Sequence, residues 1–330
     1  MSDNKNLRNA NRAKKDEFYT QLEDIEKELR HYKQHFKGKT VLCNCDDPRV
    51  SNFFTYFSHH FESLGLKKLI TSCYKNQDID LFSQNSSDKA VYLEYTGDKN
   101  GNKIPDREEI EVKPLHDNGD FRSNECKELL KQADIVVTNP PFSLFREYLQ
   151  QIIDFDKKFL IIGNLNAVSY KECFKLIKDN KMWLGASIHS GDRKFGVPDD
   201  YPLNAATCGI DDKGQRFIRV KGVRWFTNMD YKERHEDLPL YKKYSETDYP
   251  KFDYYNAINI DATADIPCDY DGLMGVPISF LDRYNPEQFE IVDGIGRYSM
   301  LTGPTEETKG KYLTKVNDKP KFARIIIRRK

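Results

Sequence analysis

Short apolar runs and longer amphipathic stretches alternate along the first two thirds of the chain. Runs rich in apolar or β-branched residues, which are typical of buried strands, occur at 40–43, 68–74, 110–115, 135–138, 158–162, 182–184 and 224–227. Apolar residues at three- and four-residue steps, which indicate helices, occur at 22–36, 50–64, 124–132 and 144–153. This alternation predicts an α/β domain built on a doubly wound, mostly parallel sheet.

Three of the predicted helices are preceded by a polar residue that can cap the first turn. Thr20 with Glu23, and Ser169 with Glu172, have the spacing of a capping box. Ser143 stands immediately before the apolar stripe at 144–153 and is the expected cap there. Residues 75–110 interrupt the alternation with a polar, turn-rich insertion that includes a predicted hairpin.

The strand at 135–138 is followed directly by Asn139-Pro140-Pro141-Phe142. Two consecutive prolines remove two backbone donors and push the residues before them toward extended conformations, so the turn is stiff. Open α/β sheets bind ligands in polar loops at the carboxyl ends of their strands. A plain Pro-Pro loop is the structural alternative, but the strand before the loop and the helix after it favour a functional site.

The loop has a chemistry that suits an exocyclic amine. The side-chain oxygen of Asn139 and the carbonyl of Pro140 can accept the two N–H groups of such an amine, which frees its delocalised lone pair for attack. Positive charge grows on the nitrogen as a methyl group arrives from a sulfonium donor, so these dipoles stabilise the transition state more than the ground state. Phe142 can stack on the base. Together these residues resemble the signature of S-adenosylmethionine-dependent amino-methyltransferases.

Composition limits the class of protein. A chain of 330 residues can form one sizeable domain, or one domain with a smaller companion. Because 32% of the residues are charged and no apolar run approaches the ~20 residues of a membrane span, we expect a cytoplasmic protein without a membrane partner. Cys43 and Cys45 lack a second Cys or His pair at ligand spacing, so no metal site is expected.

Basic residues concentrate at the two ends of the chain, although the formal net charge is +0. Residues 1–15 carry five basic side chains against one Asp, a net charge of +4. Residues 309–330 carry nine against one, a net charge of +8. Such segregation is typical of arms that contact a polyanion. Tails that serve only solubility are the alternative.

Five segments together resemble the EcoRI-type adenine-specific DNA methyltransferases: 16–20, 43–49, 119–123, the Asn139 loop and 274–277. The resemblance implies N6-methylation of adenine in a short duplex DNA sequence after base flipping, with S-adenosylmethionine as cofactor. It further implies the protective half of a restriction-modification pair, whose endonuclease acts on the same site without a stable complex. The corresponding domains are a flexible basic arm at 1–15, a catalytic and cofactor-binding domain at 16–229, and a DNA target-recognition region at 230–330.

The resemblance also implies roles for two groups of cofactor-binding residues. Phe18, Tyr19 and Thr20 match the segment that closes over the methionine part of the cofactor. Asp120 matches an acid that reads the adenine amine of the cofactor, and Phe121 lies beside it. An ordinary helix entry at Thr20 and a turn residue at Asp120 are the structural alternatives.

Two further sets of candidates come from the loop after the first strand and from the basic residues. Asn44 and Asp46 lie in that loop, and Asp46 is a candidate for the ammonium group of the cofactor, with helix capping as the alternative. The loop lacks the glycines that are usual in such a position. The candidates for DNA binding, as base readers or phosphate contacts, are Arg193, Lys194, Arg216, Arg219, Arg224, Arg328, Arg329 and Lys330.

Two other functions stay open on the residues alone. Methylation of a ribosomal RNA guanine or a protein glutamine uses the same chemistry, often with Tyr in place of Phe142. A noncatalytic DNA-binding module with a decayed site is the second alternative. The basic arms argue against a small peptide substrate, and the intact Asn139 loop argues against decay.

Overall fold

The computed structural model describes residues 18–45, 51–72, 90–102, 105–106, 109–197, 201–203 and 206–330. The arm expected at 1–15 and the candidate Asp46 lie outside the described residues. In chain order the strands are β1 (Tyr19–Thr20), β2 (Thr40–Asn44), β3 (Lys68–Ser72), β4 (Val91–Tyr95), β5 (Glu111–Pro114), β6 (Ile135–Thr138), β7 (Lys158–Asn164), β8 (Trp183–Leu184), β9 (Asp192–Gly196), β10 (Cys208–Ile210), β11 (Arg216–Lys221), β12 (Val223–Thr227), β13 (Ile258–Asn259), β14 (Met274–Pro277), β15 (Phe289–Ile295), β16 (Lys315–Val316), β17 (Lys319–Pro320) and β18 (Arg324–Arg329). The α-helices are α1 (Leu22–Leu29), α2 (Asn52–His59), α3 (Phe61–Leu64), α4 (Asn124–Gln132), α5 (Phe145–Asp154) and α6 (Lys171–Lys178).

The chain divides into two compact units, residues 1–164 with 190–229 and residues 165–189 with 230–330. The main sheet of the first unit has the strand order β5-β4-β3-β2-β6-β7-β12. Its central strands β3, β2, β6 and β7 are parallel, whereas β4, β5 and β12 run antiparallel to their neighbours. The expected α/β fold is confirmed, with the parallel part limited to four strands. The doubly wound connectivity stays a prediction.

Strand β6 lies at the centre of this sheet, between β2 and β7. All four of its residues are buried, because both faces of a central parallel strand are covered. The register pairs Val41 with Ile135 and Leu42 with Val136, so β2 and β6 end at the same edge of the sheet. The residues that follow the two strands are therefore brought side by side.

A second sheet of the first unit has the order β1-β9-β11-β10, and all of its pairs are antiparallel. Strand β1 joins it through two register pairs, Tyr19 with Gly196 and Thr20 with Phe195. A Cβ atom added to Gly196 would lie 3.3 Å from the Cβ of Tyr19, so glycine leaves room for the tyrosine. This pairing fixes the segment before α1 to a strand far along the chain.

The three predicted helix caps are wrong. Thr20 belongs to β1, and α1 begins after Gln21 without a side-chain cap. Ser169 ends a 3-10 segment, and the cap position of α6 is Tyr170. Ser143 lies inside a 3-10 turn at Phe142–Leu144, after which α5 begins. In each case another local structure occupies the residue that the spacing alone would place at a helix start.

The second unit contains a sheet with the order β13-β14-β18-β15 and a two-stranded sheet of β16 and β17. The strand predicted around Ile325, Ile326 and Ile327 is confirmed as β18, and all three side chains are fully buried. Helix α6 packs on β15, since a Cβ atom added to Gly294 would lie 2.9 Å from the ring of Phe174. None of the helices in the described ranges is long and apolar enough to cross a membrane.

One ionic cluster of the second unit is centred on His235. Its Nε2 lies 2.8 Å from the carboxylate of Asp230, and its Nδ1 lies 3.0 Å from the carboxylate of Glu287. Carboxylates only accept hydrogen bonds, so both ring nitrogens are satisfied when the imidazole carries two protons. The hydrogen bond to Asp230, supported by Glu287, raises the pKa of His235 above its usual value.

We expect the free energy of unfolding to fall as the pH rises through the raised pKa of His235. A raised pKa in the folded state contributes stability that is complete below the unfolded value of about 6.5 and is lost above the folded value. Urea unfolding at a series of pH values would measure this. His235→Gln should flatten the dependence, whereas His59→Gln on the exposed end of α2 should keep it. Equal pH dependence in wild type and His235→Gln would contradict the assignment.

Candidate active site

The side chain of Asn139 is held in one orientation at the carboxyl edge of the main sheet. It is 4% exposed, and its Nδ2 donates a 2.6 Å hydrogen bond to the carbonyl oxygen of Phe18. Because a carbonyl can only accept, the nitrogen of the amide must face Phe18 and the oxygen must face away. That oxygen, Oδ1, is buried and has no hydrogen-bond partner among the described residues. The site therefore contains a fixed, unused acceptor.

The two prolines form the turn that follows. The carbonyl of Pro141 accepts a 2.9 Å hydrogen bond from the Leu144 N–H, which closes the 3-10 turn. Pro140 is buried directly beside Asn139. Phe142, the first residue of the turn, is only half-buried. The turn thus presents an amide, a proline carbonyl and an aromatic ring within four consecutive residues.

Phe142 belongs to an aromatic cluster with Phe18, Phe195 and Tyr201. Its ring lies edge-on to Phe18 at 6.0 Å and to Phe195 at 6.4 Å between centroids. The ring of Phe18 in turn lies 6.2 Å from that of Tyr201. The sequence analysis did not identify Phe195 or Tyr201. Phe195 lies between Lys194 and Gly196, and this local pattern does not show which partner strand it faces.

The amide of Asn44, at the end of β2, is engaged by the protein itself. The hydroxyl of Tyr148 on α5 donates to its Oδ1, and the hydroxyl of Thr138 donates to its backbone carbonyl. Complete burial raises the pKa of Tyr148 well above its ordinary value, so its proton stays in place. Tyr148 was predicted only as an apolar helix position, although a buried tyrosine hydroxyl needs a partner. Asn44 and Asn139 are held at one edge by neighbouring strands.

The expected cofactor-binding residues Phe18, Tyr19 and Thr20 lie just before β1 and within it. Phe18 is 1% exposed and provides the carbonyl that orients Asn139. The carbonyl of Thr20 accepts a 2.7 Å hydrogen bond from Nδ2 of Asn52, whereas its buried Oγ1 has no partner in the described part of the chain. Tyr19 points to the opposite side of the strand, as alternation requires. The segment thus offers a second unused polar atom.

Asp120 and Phe121 are positioned by contacts with neighbouring helices and with Arg122. The guanidinium of Arg122 contacts both oxygens of Asp120, at 2.8 and 2.6 Å, and holds the pKa of this carboxyl below its usual range. Phe121 is 7% exposed and lies edge-on to Tyr148 at 5.0 Å. Asp120 is therefore ionised and lines a surface depression, where its remaining lone pairs can accept a hydrogen bond.

Four of the DNA-binding candidates line one groove on the second sheet of the first unit. Five basic and three acidic side chains line this groove, called the basic groove below, next to Tyr19 and Asn52. The basic residues are Arg193, Lys194, Lys213, Arg216 and Arg219, and the acidic residues are Glu23, Asp24 and Asp192. Nη1 of Arg216 donates to the carbonyl of Tyr201 at 3.1 Å, which connects the groove to the aromatic cluster. Lys194 forms a 2.6 Å ion pair with Asp211, and Arg219 lies 3.7 Å from Asp192.

The other four candidates differ in how much of their side chains they expose. Arg224 lies in β12, is 4% exposed and donates to the Val223 carbonyl, so little of its charge can reach a phosphate. In the second unit, Arg329 donates to the carbonyl of Cys268 and Lys330 to that of Pro286. Arg328 is exposed and lies 3.9 Å from Glu290. The basic C-terminus therefore belongs to an ordered strand instead of a loose tail.

The chain is similar in sequence to known proteins over most of its length. The model of a family described as adenine-specific methyltransferase EcoRI matches residues 6–330. The chain is 53% identical over 291 residues to type II methyltransferase M.EcoRI of Escherichia coli, with 88% of this chain and 89% of the relative covered. It is 39% identical to type II methyltransferase M.MgeORF184P of Mycoplasma genitalium and 37% identical to M.MpnI of Mycoplasma pneumoniae, with 97% of each chain covered. No solved structure matches the chain.

Proposed function

The chain belongs to the adenine-specific methyltransferase EcoRI family, and from this premise we propose that it uses Asn139 to methylate the N6 amine of adenine within a short duplex DNA sequence. It is a DNA methyltransferase of the restriction-modification type. The observation that carries the proposed site is the buried, unpartnered Oδ1 of Asn139. An acceptor in that state gains a hydrogen bond only when a donor such as an amine enters the site.

Asn139 and Pro140 act on the target amine by accepting its two N–H groups. The Phe18 carbonyl holds Nδ2 of Asn139, so Oδ1 cannot turn away when positive charge develops on the amine. Such a preorganised acceptor stabilises the transition state without reorganising during the reaction. The Pro140 carbonyl is fixed by the stiff loop and accepts the second N–H.

Phe142 receives the adenine after it leaves the duplex. The Asn139 side chain is buried, so a base inside the double helix cannot reach it, and the nucleotide must flip out. The Phe142 ring is partly accessible, and the rings of Phe18 and Phe195 lie at right angles to it. A ring held in this way offers a rigid face for stacking on the base.

We assign the methyl donor as S-adenosylmethionine, which supplies an electrophilic methyl group on a sulfonium centre. The residues at the sheet edge suit it chemically, because Thr20 Oγ1 is buried without a partner and Asp120 is an ionised acceptor beside an aromatic ring. Phe18, Tyr19 and Thr20 would hold the methionine part, and Asp120 and Phe121 the adenine part. Asn44 is held at the end of β2 by hydrogen bonds from Tyr148 and Thr138.

In this proposal the basic groove binds the phosphate backbone of the DNA. Arg193, Lys194, Arg216 and Arg219 line it next to Tyr19, so positive charge lies beside the segment that orients Asn139. Arg224 is left out because it is buried. Residues 230–330 form the target-recognition region, and the cognate endonuclease acts on the same site independently. The RNA and protein-glutamine alternatives receive no support from the family or from these relatives.

We expect Asn139→Ala to lower the methylation rate by at least ~100-fold, because an oriented transition-state acceptor is lost. Single-turnover methyl transfer from labelled cofactor to duplex DNA would measure the rate. Cofactor binding, followed by calorimetry, should stay near wild type. Asn166→Ala, which changes an exposed asparagine outside the site, is the matched control. If Asn139→Ala turned over at close to the wild-type rate, the proposed mechanism would be wrong.

Phe142→Ala should weaken retention of the flipped base by about 1–3 kcal/mol, the usual contribution of stacking on an aromatic ring. With 2-aminopurine at the target position, fluorescence should rise when the wild type binds and rise less with the variant. Phe322→Ala provides the control, because that ring is 91% exposed and lies outside the site. If the wild-type complex methylates DNA without any brightening of 2-aminopurine, flipping into this site is wrong.

Removing charge from the basic groove should flatten the salt dependence of DNA binding. Each lost phosphate contact makes the slope of log affinity against log salt shallower by roughly 0.9, so Arg216→Ala with Arg219→Ala should remove up to ~1.8. Replacing Arg328, Arg329 and Lys330 together should change this slope by less than the loss of three phosphate contacts would. Two of these side chains already donate hydrogen bonds to backbone carbonyls. Lys27→Ala, on the exposed face of α1, is the control. Unchanged slopes in the groove variant would place the DNA elsewhere.

A further inference from the structure

The loop that joins β4 to β5 carries oxygen-bearing side chains at a distinctive spacing. Asp98, Asn100, Asn102, Asp106 and Glu109 occupy positions 1, 3, 5, 9 and 12 of a twelve-residue stretch. These are the side-chain ligand positions of the calcium loop known from helix-loop-helix proteins. Lys103 stands where that loop usually has glycine, and strands instead of helices flank the segment. Residues 103, 104, 107 and 108 lie outside the described ranges.

Three of these side chains converge on one point. Nδ2 of Asn100 lies 2.6 Å and Nδ2 of Asn102 lies 3.0 Å from the same oxygen, Oδ2 of Asp106. The carboxylate of Asp98 accepts a 2.7 Å hydrogen bond from the Gly101 N–H, which curls the start of the loop. An amide that rotates by half a turn exchanges its nitrogen for its oxygen at nearly the same place. Both asparagines can therefore present oxygen to the point they already face.

Glu109 closes the loop with a buried carboxylate. It is 2% exposed, and its Oε1 accepts the N–H groups of Lys99 at 2.6 Å and Asn100 at 3.1 Å. These bonds aim the carboxylate into the loop. Its Oε2 is buried and has no hydrogen-bond partner in the described part of the chain, nor does Glu109 form an ion pair there. A buried carboxylate oxygen without a partner is costly unless a cation compensates it.

Further negative charge surrounds the loop. Burial is the main reason that the pKa of Tyr95 rises to about 12, and the carboxylates of Glu109, Asp98, Glu62 and Asp106 raise it further. Glu62 also accepts the Asp98 N–H at 3.2 Å. Four carboxylates thus act on a single buried phenol at the start of the loop, which makes this part of the first unit strongly attractive to a cation.

We propose that Asp98, Asn100, Asn102, Asp106 and Glu109 bind one calcium ion. The three carboxylates among them do not form a group arranged to hold a metal on their own in the described ranges, so the site requires the two amides as well. Both amides already face Asp106 through their nitrogens. A set of carboxylate and amide oxygens without Cys or His favours calcium over zinc, and five protein ligands favour it over magnesium, which keeps several waters.

Bound calcium would stabilise the hairpin of β4 and β5 at one edge of the main sheet. Strand β5 is the outermost strand of the order given above, pairs with β4, and is mostly exposed. A cation bound to both position 1, just after β4, and position 12, just before β5, would link the ends of these two strands.

Isothermal titration of calcium chloride into the chelator-treated, full-length protein tests the site. We expect one saturable site with a dissociation constant of about 10⁻⁴–10⁻³ M, the range of the weaker loops of this kind. Magnesium chloride should bind at least ~10-fold more weakly, and calcium should raise the unfolding temperature in a concentration-dependent way. Absence of saturable calcium binding, or equal affinity for magnesium, would overturn the proposal.

Two variants in the loop and one control variant outside it test whether calcium binds at this loop. Glu109→Gln keeps an oxygen for the two backbone N–H groups but loses the charge, and Asn102→Ala removes an exposed ligand with little risk to the fold. Each should weaken calcium binding by at least ~10-fold, with unchanged far-ultraviolet circular dichroism. Glu111→Gln, the same change two residues further on, should bind calcium as the wild type does. Unaltered binding in both loop variants would contradict the site.

Discussion

A backbone carbonyl can accept a hydrogen bond but cannot donate one, and the arrangement of the active site depends on this. The Phe18 carbonyl selects the nitrogen end of the Asn139 amide, which leaves the oxygen end facing away without a protein partner. Asparagine amides are otherwise free to rotate between two nearly equivalent orientations. One backbone atom, supplied from outside the loop, thus converts an ordinary side chain into a directed acceptor.

The Phe18 carbonyl is itself positioned by a strand from much later in the chain. Tyr19 and Thr20 pair with Gly196 and Phe195, so the backbone just before them cannot move independently of β9. The same pairing brings the Phe195 ring against Phe18 and Phe142. The second sheet of the first unit therefore orients both the amide that would receive the amine and the ring that would receive the base.

The sequence predicted the parts of this site that are local and could not predict the parts that are distant. Strand β6 and the stiff proline turn follow from contiguous residues, since burial on both faces and missing backbone donors are properties of the chain itself. The capping box at Thr20 failed because β9 competes for the same residues, and the spacing contains no information about β9. Tyr148 was recognised as apolar only, because periodicity registers its ring and not the hydroxyl that bonds to Asn44.

The polar groups at the sheet edge divide into those the protein satisfies and those it leaves open. Asn44 accepts hydrogen bonds from the hydroxyls of Thr138 and Tyr148, which removes these groups as partners for a substrate. Oδ1 of Asn139 is left open at a cost of about 1–3 kcal/mol, the usual penalty for an unpaired buried acceptor. Because this penalty disappears when an N–H donor enters, the folded protein is poised to bind an amine more tightly than any group that cannot donate. The fold thus favours a hydrogen-bond donor at this position, which is what the proposed amine substrate supplies.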